Sequence, residues 1–252
     1  AARIPGKEEF TETLRYYRRQ LELKDVTVHT GTRVGPGDLV DFDEVVVATG
    51  VEPRIPNIPG VDHPKVLTYQ QVIRDGAPVG DRVAIMGAGG IGFDVAEFCL
   101  HDPHESLEHW MRRWGVTDPA LERGGLATKT LTPPRRAVTL LQRKTTDLGK
   151  GLGKTSGWVH RTTLKDSGVE MVKGVTYDRI DDAGLHITVG DRSRVLEVDT
   201  IILCTGQESV RDLVEPLERA GKPVHVIGGA DVAAELDAKR AIKQATELAA
   251  AL

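Results

Sequence analysis

The sequence predicts an α/β protein in which one parallel-sheet unit is inserted into another. Residues 87–92 read Gly-Ala-Gly-Gly-Ile-Gly and directly follow the apolar run 83–86. Two further apolar runs, 45–50 and 201–206, both end in Thr-Gly, and a last run, 226–231, ends in Gly-Gly-Ala-Asp. Short apolar strands that alternate with helical patterns are typical of parallel sheets.

The composition excludes several classes of function. The 252 residues are 40% hydrophobic and carry a formal charge of −4, with Lys and Arg scattered along the chain. Such a balance gives no basis for nucleic-acid binding, and the longest apolar run is far shorter than the ~20 residues of a membrane span. Cys99 and Cys204 stand far apart, which indicates neither a disulfide framework nor a metal site. We therefore expect a cytoplasmic protein without nucleic-acid or membrane partners.

The outer elements follow from simple patterns. Residues 7–23 repeat apolar side chains at helical spacing, and residues 26–28 alternate as in a short strand. A strand is expected over 43–49. The four prolines of 51–64 indicate an extended crossover, and the run 233–252, rich in Ala, Leu, Glu and Lys, predicts a terminal helix.

The inserted unit begins near residue 80. Its expected helices are 89–100 and 158–164, and its expected strands are 83–86, 137–141, 169–172, 175–180, 185–189, 195–198 and 200–204. Residues 101–134 break the pattern with Pro, Gly and charged residues around a helical patch at 107–114. We interpret 101–134 as an insertion and assign it no functional residue.

The glycines of 87–92 have physical roles in a dinucleotide-binding turn. Gly87 permits the tight turn from strand to helix, Gly89 lets the backbone approach a pyrophosphate, and Gly92 allows close packing of helix and strand. The N-terminus of the following helix presents N–H groups to the phosphates, and Gly90 is also expected to bind the cofactor. A glycine-rich turn without a ligand is the alternative, but the strand before and the helix after it favour a nucleotide site.

The end of the second strand indicates which nucleotide binds. An acidic residue there would hold the ribose hydroxyls of NAD, but the chain reads Leu-Leu-Gln-Arg-Lys and ends in Arg143 and Lys144. A guanidinium fork and an ammonium group suit a 2′-phosphate. We favour NADPH over the alternative of a solvated strand end.

Trp158 follows a Gly-Leu-Gly-Lys-Thr sequence at 151–155 that lacks the spacing of a Walker loop. Its indole is available to stack on the adenosine side of the cofactor, and a buried core position is the alternative. Asp231 is expected to follow a strand and precede the terminal helix. Its carboxylate suits a ribityl hydroxyl of a flavin, whereas a plain helix N-cap is the alternative.

The chain resembles the C-terminal part of the bacterial NADPH-dependent 2,4-dienoyl-CoA reductases. The resemblance covers nearly all 252 residues and rests on several distinctive stretches. These are residues 4–10, 14–19, 77–80, 89–94, 141–144, 151–164, 225–232 and 235–238.

The resemblance implies a larger flavoprotein. Such enzymes have a barrel with FMN and the substrate site, an iron–sulfur cluster, and then FAD and NADPH domains. Electrons pass from NADPH through FAD, the cluster and FMN to a dienoyl-CoA. No glycine fingerprint precedes residue 45, so we expect the chain to begin within the FAD domain and to hold FAD weakly or not at all. FMN and the cluster are expected only in the missing N-terminal part, and autonomous reductase activity is not expected.

The resemblance also implies residue roles. NADPH is expected at Arg143, Lys144 and Trp158, in addition to the glycines of 87–92. FAD is expected at Val26, Thr49, Gly50, Gly229, Asp231, Leu236, Asp237 and Ala238.

The predicted fold class is therefore α/β, with a Rossmann-like NADPH-binding domain at 80–205 inserted in an incomplete Rossmann-like FAD-binding domain at 1–79 and 206–252. Two alternatives stay open: an electron-transfer module of another pyridine-nucleotide-dependent flavoprotein, and a non-catalytic NADPH-sensing module. The absence of a Cys-x-x-Cys pair argues against thioredoxin-reductase chemistry.

Overall fold

The computed structural model describes residues 1–234 and 237–252. It divides into two compact units, and each is described by itself. The large unit comprises residues 1–11 and 55–205, and the small unit comprises residues 12–54 and 206–252. None of the helices in the described part of the chain combines the length and apolar character needed to span a bilayer.

The described residues form both α-helices and β-strands. The helices are α1 (Phe10–Leu23), α2 (Tyr69–Ile73), α3 (Gly90–Leu100), α4 (Leu107–Trp114), α5 (Gly157–Asp166), α6 (Val214–Arg219) and α7 (Ala238–Ala251). The strands are β1 (Val45–Val47), β2 (Val51–Pro53), β3 (Val66–Thr68), β4 (Arg82–Met86), β5 (Ala137–Gln142), β6 (Glu170–Lys173), β7 (Val175–Asp181), β8 (Gly184–Val189), β9 (Arg192–Leu196), β10 (Thr200–Leu203), β11 (Gln207–Ser209) and β12 (Val224–Val226).

A five-stranded parallel sheet organises the large unit. Its strand order is β3-β10-β4-β5-β6, so the chain crosses over between non-consecutive neighbours. Because all five strands run in one direction, the loops after β4, β5 and β6 meet at one edge of the sheet. The predicted α/β fold class with parallel sheets is confirmed.

Apolar clusters cover both faces of this sheet. Val83 and Ile85 of β4 point to one face and pack in a cluster with Phe93 of α3. Ala84 and Met86 point to the other face, in a cluster that includes the antiparallel meander β7-β8-β9. Successive side chains of a strand alternate between faces, so a continuous apolar run is what a strand buried on both faces requires.

The insertion packs against helix α5 within the large unit. Helix α4 has the bounds that the sequence predicts, and Ser106 caps its N-terminus by accepting from the His109 N–H. Trp114 of α4 meets Trp158 of α5 edge-on, with ring centroids 6.2 Å apart. Lys129 Nζ lies 2.7 Å from Asp166 Oδ2 at the end of α5. The insertion therefore packs on the helix that carries Trp158.

The small unit has less sheet and less core. Strand β1 pairs with β12 in parallel, and β2 pairs with β11 in antiparallel orientation. Its core consists of Val45, Val47, Val214, Leu217 and Ala230 with partly buried neighbours. Helices α1 and α7 contain no buried residue.

Three expectations about elements are wrong. Residues 26–28 form no strand: Asp25 adopts a left-handed conformation (φ 53°) and the Val26 N–H bonds back to Leu21 O, which ends α1. The terminal helix begins at Ala238, since Asp237 supplies the N-cap, and not at residue 233. The strand expected at 195–198 is β9, which ends at Leu196.

The compact units differ in extent from the predicted domains. The large unit contains the predicted NADPH-binding stretch 80–205 and also residues 1–11 and 55–79. Part of its N-terminal segment is fixed by Ile4, which is buried. The assignment of NADPH to 80–205 and of FAD to 1–79 and 206–252 stays a prediction.

Candidate nucleotide sites

Packing within the protein accounts for two glycines of the fingerprint. Gly87 follows β4 with φ 112°, and a Cβ there would lie 2.1 Å from Cys204 O. A Cβ on Gly92 would lie 1.9 Å from Gly87 O, because α3 crosses directly over the turn. These glycines are needed for the turn itself, whether or not a ligand binds.

The other two glycines face open space. A Cβ on Gly89 or Gly90 would meet no heavy atom within 4 Å. Gly89 is the N-cap of α3 and, lacking a side chain, leaves the helix N-terminus without a side-chain cap. A pyrophosphate fits this cradle, because the backbone can be approached closely and the helix end favours negative charge.

The two cations predicted for the 2′-phosphate lie on a fixed turn. Arg143 and Lys144 follow β5 and are exposed. The Gln142 Nε2 donates to Lys144 O at 3.1 Å and to Thr146 O at 2.7 Å. The Gly174 N–H after β6 also donates to Lys144 O, at 3.0 Å. The turn is thus held from both sides while both cationic side chains remain in solvent.

A groove that the sequence did not indicate lies beside this turn. It measures about 650 Å³ and is lined by Thr145, Thr146, Asp147, Leu148, Lys150, Arg161 and Lys173. The Arg161 Nη1 donates to Gly149 O at 3.0 Å, and Lys173 Nζ lies 2.7 Å from Asp147 Oδ1. Lys173 comes from the end of β6, so only the strand pairing reveals that it lies near Arg143 and Lys144.

Trp158 lies on the surface of α5. Its side chain is 55% exposed, so the alternative of a fully buried core position is wrong. Trp114 covers one edge of it, and the Lys129 ammonium lies 5.8 Å from the Trp114 ring centroid. Its predicted role in stacking on the cofactor stays a prediction.

Two side-chain pairs involve carboxylates of α3. Lys7 Nζ is 2.7 Å from both carboxylate oxygens of Asp94. One turn later, His160 Nδ1 is 2.7 Å from Glu97 Oε1. Burial raises the pKa of the Glu97 carboxyl, and the hydrogen bond with His160 partly opposes that rise. The partner of His160 is therefore a partly buried carboxyl of α3.

Several residues predicted to hold FAD converge in the small unit. Thr49 Oγ1 donates to Val210 O at 2.6 Å, and the Val210 N–H donates to Gly50 O at 3.0 Å. The Ser209 Oγ donates to Gly229 O at 2.6 Å. The end of β11 therefore joins the Thr49–Gly50 turn to the Gly229 turn, two segments far apart in sequence.

Asp231 is held by a glutamine of the terminal helix. The Gln244 Nε2 donates to Asp231 Oδ2 at 2.8 Å, and its Oε1 accepts from the Gly228 N–H at 2.8 Å. Asp231 is thus not the N-cap of α7. That cap is Asp237, whose carboxylate accepts from the Arg240 N–H at 2.7 Å.

Three further residues, Val26, Leu236 and Ala238, were predicted to hold FAD. Ala238 is the first residue of α7, and Leu236 lies outside the described residues. Val26 is 48% exposed, and its N–H is engaged by Leu21 O. Among residues 1–234 and 237–252, no group of three or more His, Cys, Asp or Glu could hold a metal ion.

Comparisons with known proteins match most of the chain. The family model described as pyridine nucleotide-disulphide oxidoreductase matches residues 7–241. A metal reductase from Desulforamulus reducens is 24% identical over 239 residues, which are 91% of this chain and 35% of that protein. An NADH oxidase from Enterococcus faecalis is 26% identical over 210 residues, 79% of this chain and 40% of that protein.

Solved structures match over nearly the whole chain. A 2-naphthoyl-CoA reductase in complex with 2-naphthoyl-CoA matches with a TM-score of 0.76 at 20% identity, covering 96% of this chain and 32% of that one. Histamine dehydrogenase from Rhizobium sp. 4-9 matches with a TM-score of 0.71 at 16% identity, covering 98% of this chain and 37% of that one. The chain thus spans about a third of the length of these proteins, and the structural likeness shows the fold.

Proposed function

The chain belongs to the pyridine nucleotide-disulphide oxidoreductase family of NAD(P)H- and FAD-dependent electron-transfer proteins, and from this premise we propose that it takes hydride from NADPH in preference to NADH. The observation that carries the proposal is the exposed pair Arg143–Lys144 on the fixed turn after β5. Position and charge together suit a 2′-phosphate.

The pyrophosphate and the adenosine end of NADPH each have candidate partners in the large unit. The open backbone at Gly89 and Gly90 and the uncapped N-terminus of α3 receive the pyrophosphate. Arg143 and Lys144 pair with the 2′-phosphate, and the exposed indole of Trp158 stacks beside the adenosine.

In the small unit, the Thr49–Gly50 turn, Gly229 and Asp231 contribute to holding FAD. FAD held by these residues would supply an acceptor for the hydride and a carrier for electrons. Asp231 offers the oxygen that Gln244 leaves free to a ribityl hydroxyl. The bond between Gln244 and the Gly228 N–H keeps that carboxylate in place.

The substrate class we propose is 2,4-dienoyl-CoA, reached through an iron–sulfur cluster and FMN carried by a longer protein. The support comes from sequence stretches that resemble the bacterial dienoyl-CoA reductases, including residues 4–10 and 225–232. A solved CoA-thioester reductase with the same fold is compatible with this assignment.

A second candidate is electron transfer to another acceptor, which the similarity to a metal reductase favours. The two candidate functions can be separated by assaying a longer protein that contains this chain together with its electron-accepting part. NADPH oxidation that depends on added dienoyl-CoA supports the first, whereas oxidation that proceeds only with a metal salt supports the second.

Calorimetric titration of the 252-residue chain with NADPH and NADH tests nucleotide preference. We expect NADPH to bind at least about tenfold more tightly, since two charge-assisted contacts to the phosphate are lost with NADH. Arg143→Ala should abolish most of the difference, while Arg135→Ala, which removes an exposed arginine just before the other end of β5, should not. Equal affinities in the unaltered chain would refute the preference.

A third possibility, an NADPH-sensing module without catalysis, is separated by a redox assay. With FAD added in excess, the electron-transfer proposal expects ferricyanide reduction that depends on NADPH and on the chain. Binding of NADPH without any such reduction would support a sensor.

A further inference from the structure

We propose that Lys173, in the groove beside the β5 turn, is a further specificity-determining cation for the 2′-phosphate of the nucleotide, and that Asp147 competes with the phosphate for it. This inference rests on the proposed preference for NADPH. It extends the site beyond the Arg143–Lys144 pair to the neighbouring strand.

Strand register places Lys173 beside the turn that carries Arg143 and Lys144. Gln142, the residue before Arg143, pairs directly with Lys173 across β5 and β6. Neighbouring strands lie about 4.8 Å apart, and the Gly174 N–H holds Lys144 O at 3.0 Å. Arg143 and Lys144, which follow β5, and Lys173, the last residue of β6, therefore lie at the same end of the sheet.

The groove itself carries an excess of positive charge. Lys150, Arg161 and Lys173 line it together with a single carboxylate, Asp147. Arg161 is committed to Gly149 O at 3.0 Å and fixes the loop that forms one wall. Thr145 and Thr146 add hydroxyl groups between the cations. A phosphate with two negative charges fits this combination better than a neutral ribose does.

The ion pair between Lys173 and Asp147 is exposed enough for a phosphate to replace the Asp147 carboxylate. The two side chains are 52% and 87% exposed and 2.7 Å apart, and ion pairs this open to solvent contribute little to stability. Lys173, by hydrogen bond and charge, lowers the pKa of the Asp147 carboxyl, so that group is anionic at neutral pH. An incoming phosphate must displace this carboxylate to reach Lys173.

The exchange predicts effects of opposite sign at the two partners. Lys173→Met removes a phosphate partner and should weaken NADPH binding about tenfold, as one lost charge-assisted contact does. Asp147→Asn removes the competitor and should strengthen NADPH binding about threefold, the range of a solvent-exposed charge interaction. Neither variant should change the affinity for NADH.

Calorimetric titration of the 252-residue chain with both nucleotides, at low and at moderate salt, measures these affinities. Lys165→Met is the matched control, because it removes an exposed lysine near the other end of α5. Lys173→Arg retains the charge and should retain the preference for NADPH, which covers the case in which Lys173→Met folds poorly.

The outcomes separate this inference from the function on which it rests. If the unaltered chain does not prefer NADPH, the proposed function and the inference both fail. If it does, and Lys173→Met discriminates as before or Asp147→Asn weakens NADPH and NADH alike, the inference alone is overturned.

Discussion

The two units of the chain position their functional residues by different means. In the large unit, the fingerprint follows a strand whose residues Val83–Met86 are fully buried between two apolar clusters. In the small unit, the FAD-site candidates are joined by side-chain hydrogen bonds: Thr49 to Val210, Ser209 to Gly229 and Gln244 to Asp231. Rigidity comes from packing in one unit and from a few polar contacts in the other.

A cofactor site can therefore be formed before the cofactor binds, or it can become ordered only when the cofactor binds. Close-packed interiors hold backbone within narrow limits, whereas regions with few buried apolar contacts open at low free-energy cost. We therefore expect the NADPH site to keep its geometry without ligand. The FAD residues of the small unit are expected to gain order when the cofactor binds.

The largest expected effect is loss of core packing in the large unit. Phe93→Ala removes a fully buried ring and should lower the free energy of unfolding by about 3–5 kcal/mol. Leu14→Ala, on the exposed face of α1 in the small unit, should change it by less than about 0.5 kcal/mol. Urea unfolding followed by circular dichroism measures both, and equal losses would break the comparison between the units.

The second largest loss of stability is expected when a side chain is added to a packed glycine of the 87–92 turn. Gly92→Ala puts a Cβ 1.9 Å from Gly87 O and should cost about 3 kcal/mol of stability and abolish NADPH binding. Gly90→Ala, whose Cβ meets no atom within 4 Å, is the matched control and should leave stability unchanged. A stable Gly92→Ala variant that binds NADPH would show that the turn is softer than its packing indicates.

A smaller effect is expected from the loss of one polar contact in the small unit. Ser209→Ala removes the hydrogen bond to Gly229 O and should lower the local stability of the small unit by about 1 kcal/mol. Hydrogen exchange should show faster exchange at 226–231 with NADPH affinity unchanged. Unaltered protection there would mean that the polar contact does not hold the turn.

The smallest effect concerns pH. Burial raises the pKa of Glu97 above its ordinary 4.5, so the folded chain binds that proton more tightly than the unfolded chain. Stability from this group is present at low pH and is lost as pH rises through the folded pKa. Glu97→Gln should flatten the fall in unfolding free energy above pH 4.5, and His160→Gln should steepen it. If neither variant alters the dependence of the unfolding free energy on pH, groups other than Glu97 and His160 cause that dependence.

Local signals were sufficient for much of the large unit. The glycine spacing predicted the turn and α3, and the run 107–114 predicted α4 with its observed bounds. Each of these elements was predicted from residues that lie within one or two helical turns along the chain, so the local sequence was sufficient.

A signal that depends on distant partners was missed, and two local element boundaries were predicted wrongly. The groove needs Lys173 to pair with Gln142, and strand register is set by the whole sheet. The alternation at 26–28 predicted a strand, but Asp25 terminates α1 with a left-handed turn that uses the Val26 N–H. Helix propensity placed the start of the last helix at 233, whereas the cap at Asp237 decides it.

The three tryptophans of the chain are Trp110, Trp114 and Trp158, and all belong to the insertion and α5. Ring centroids of 6.4 Å and 6.2 Å link them into one cluster inside the large unit. Intrinsic indole fluorescence is therefore a built-in optical label for one unit only. A change in emission reports on the large unit alone, and the small unit, with Tyr16 and Tyr17 as its aromatic chromophores besides Phe42, is invisible at that wavelength.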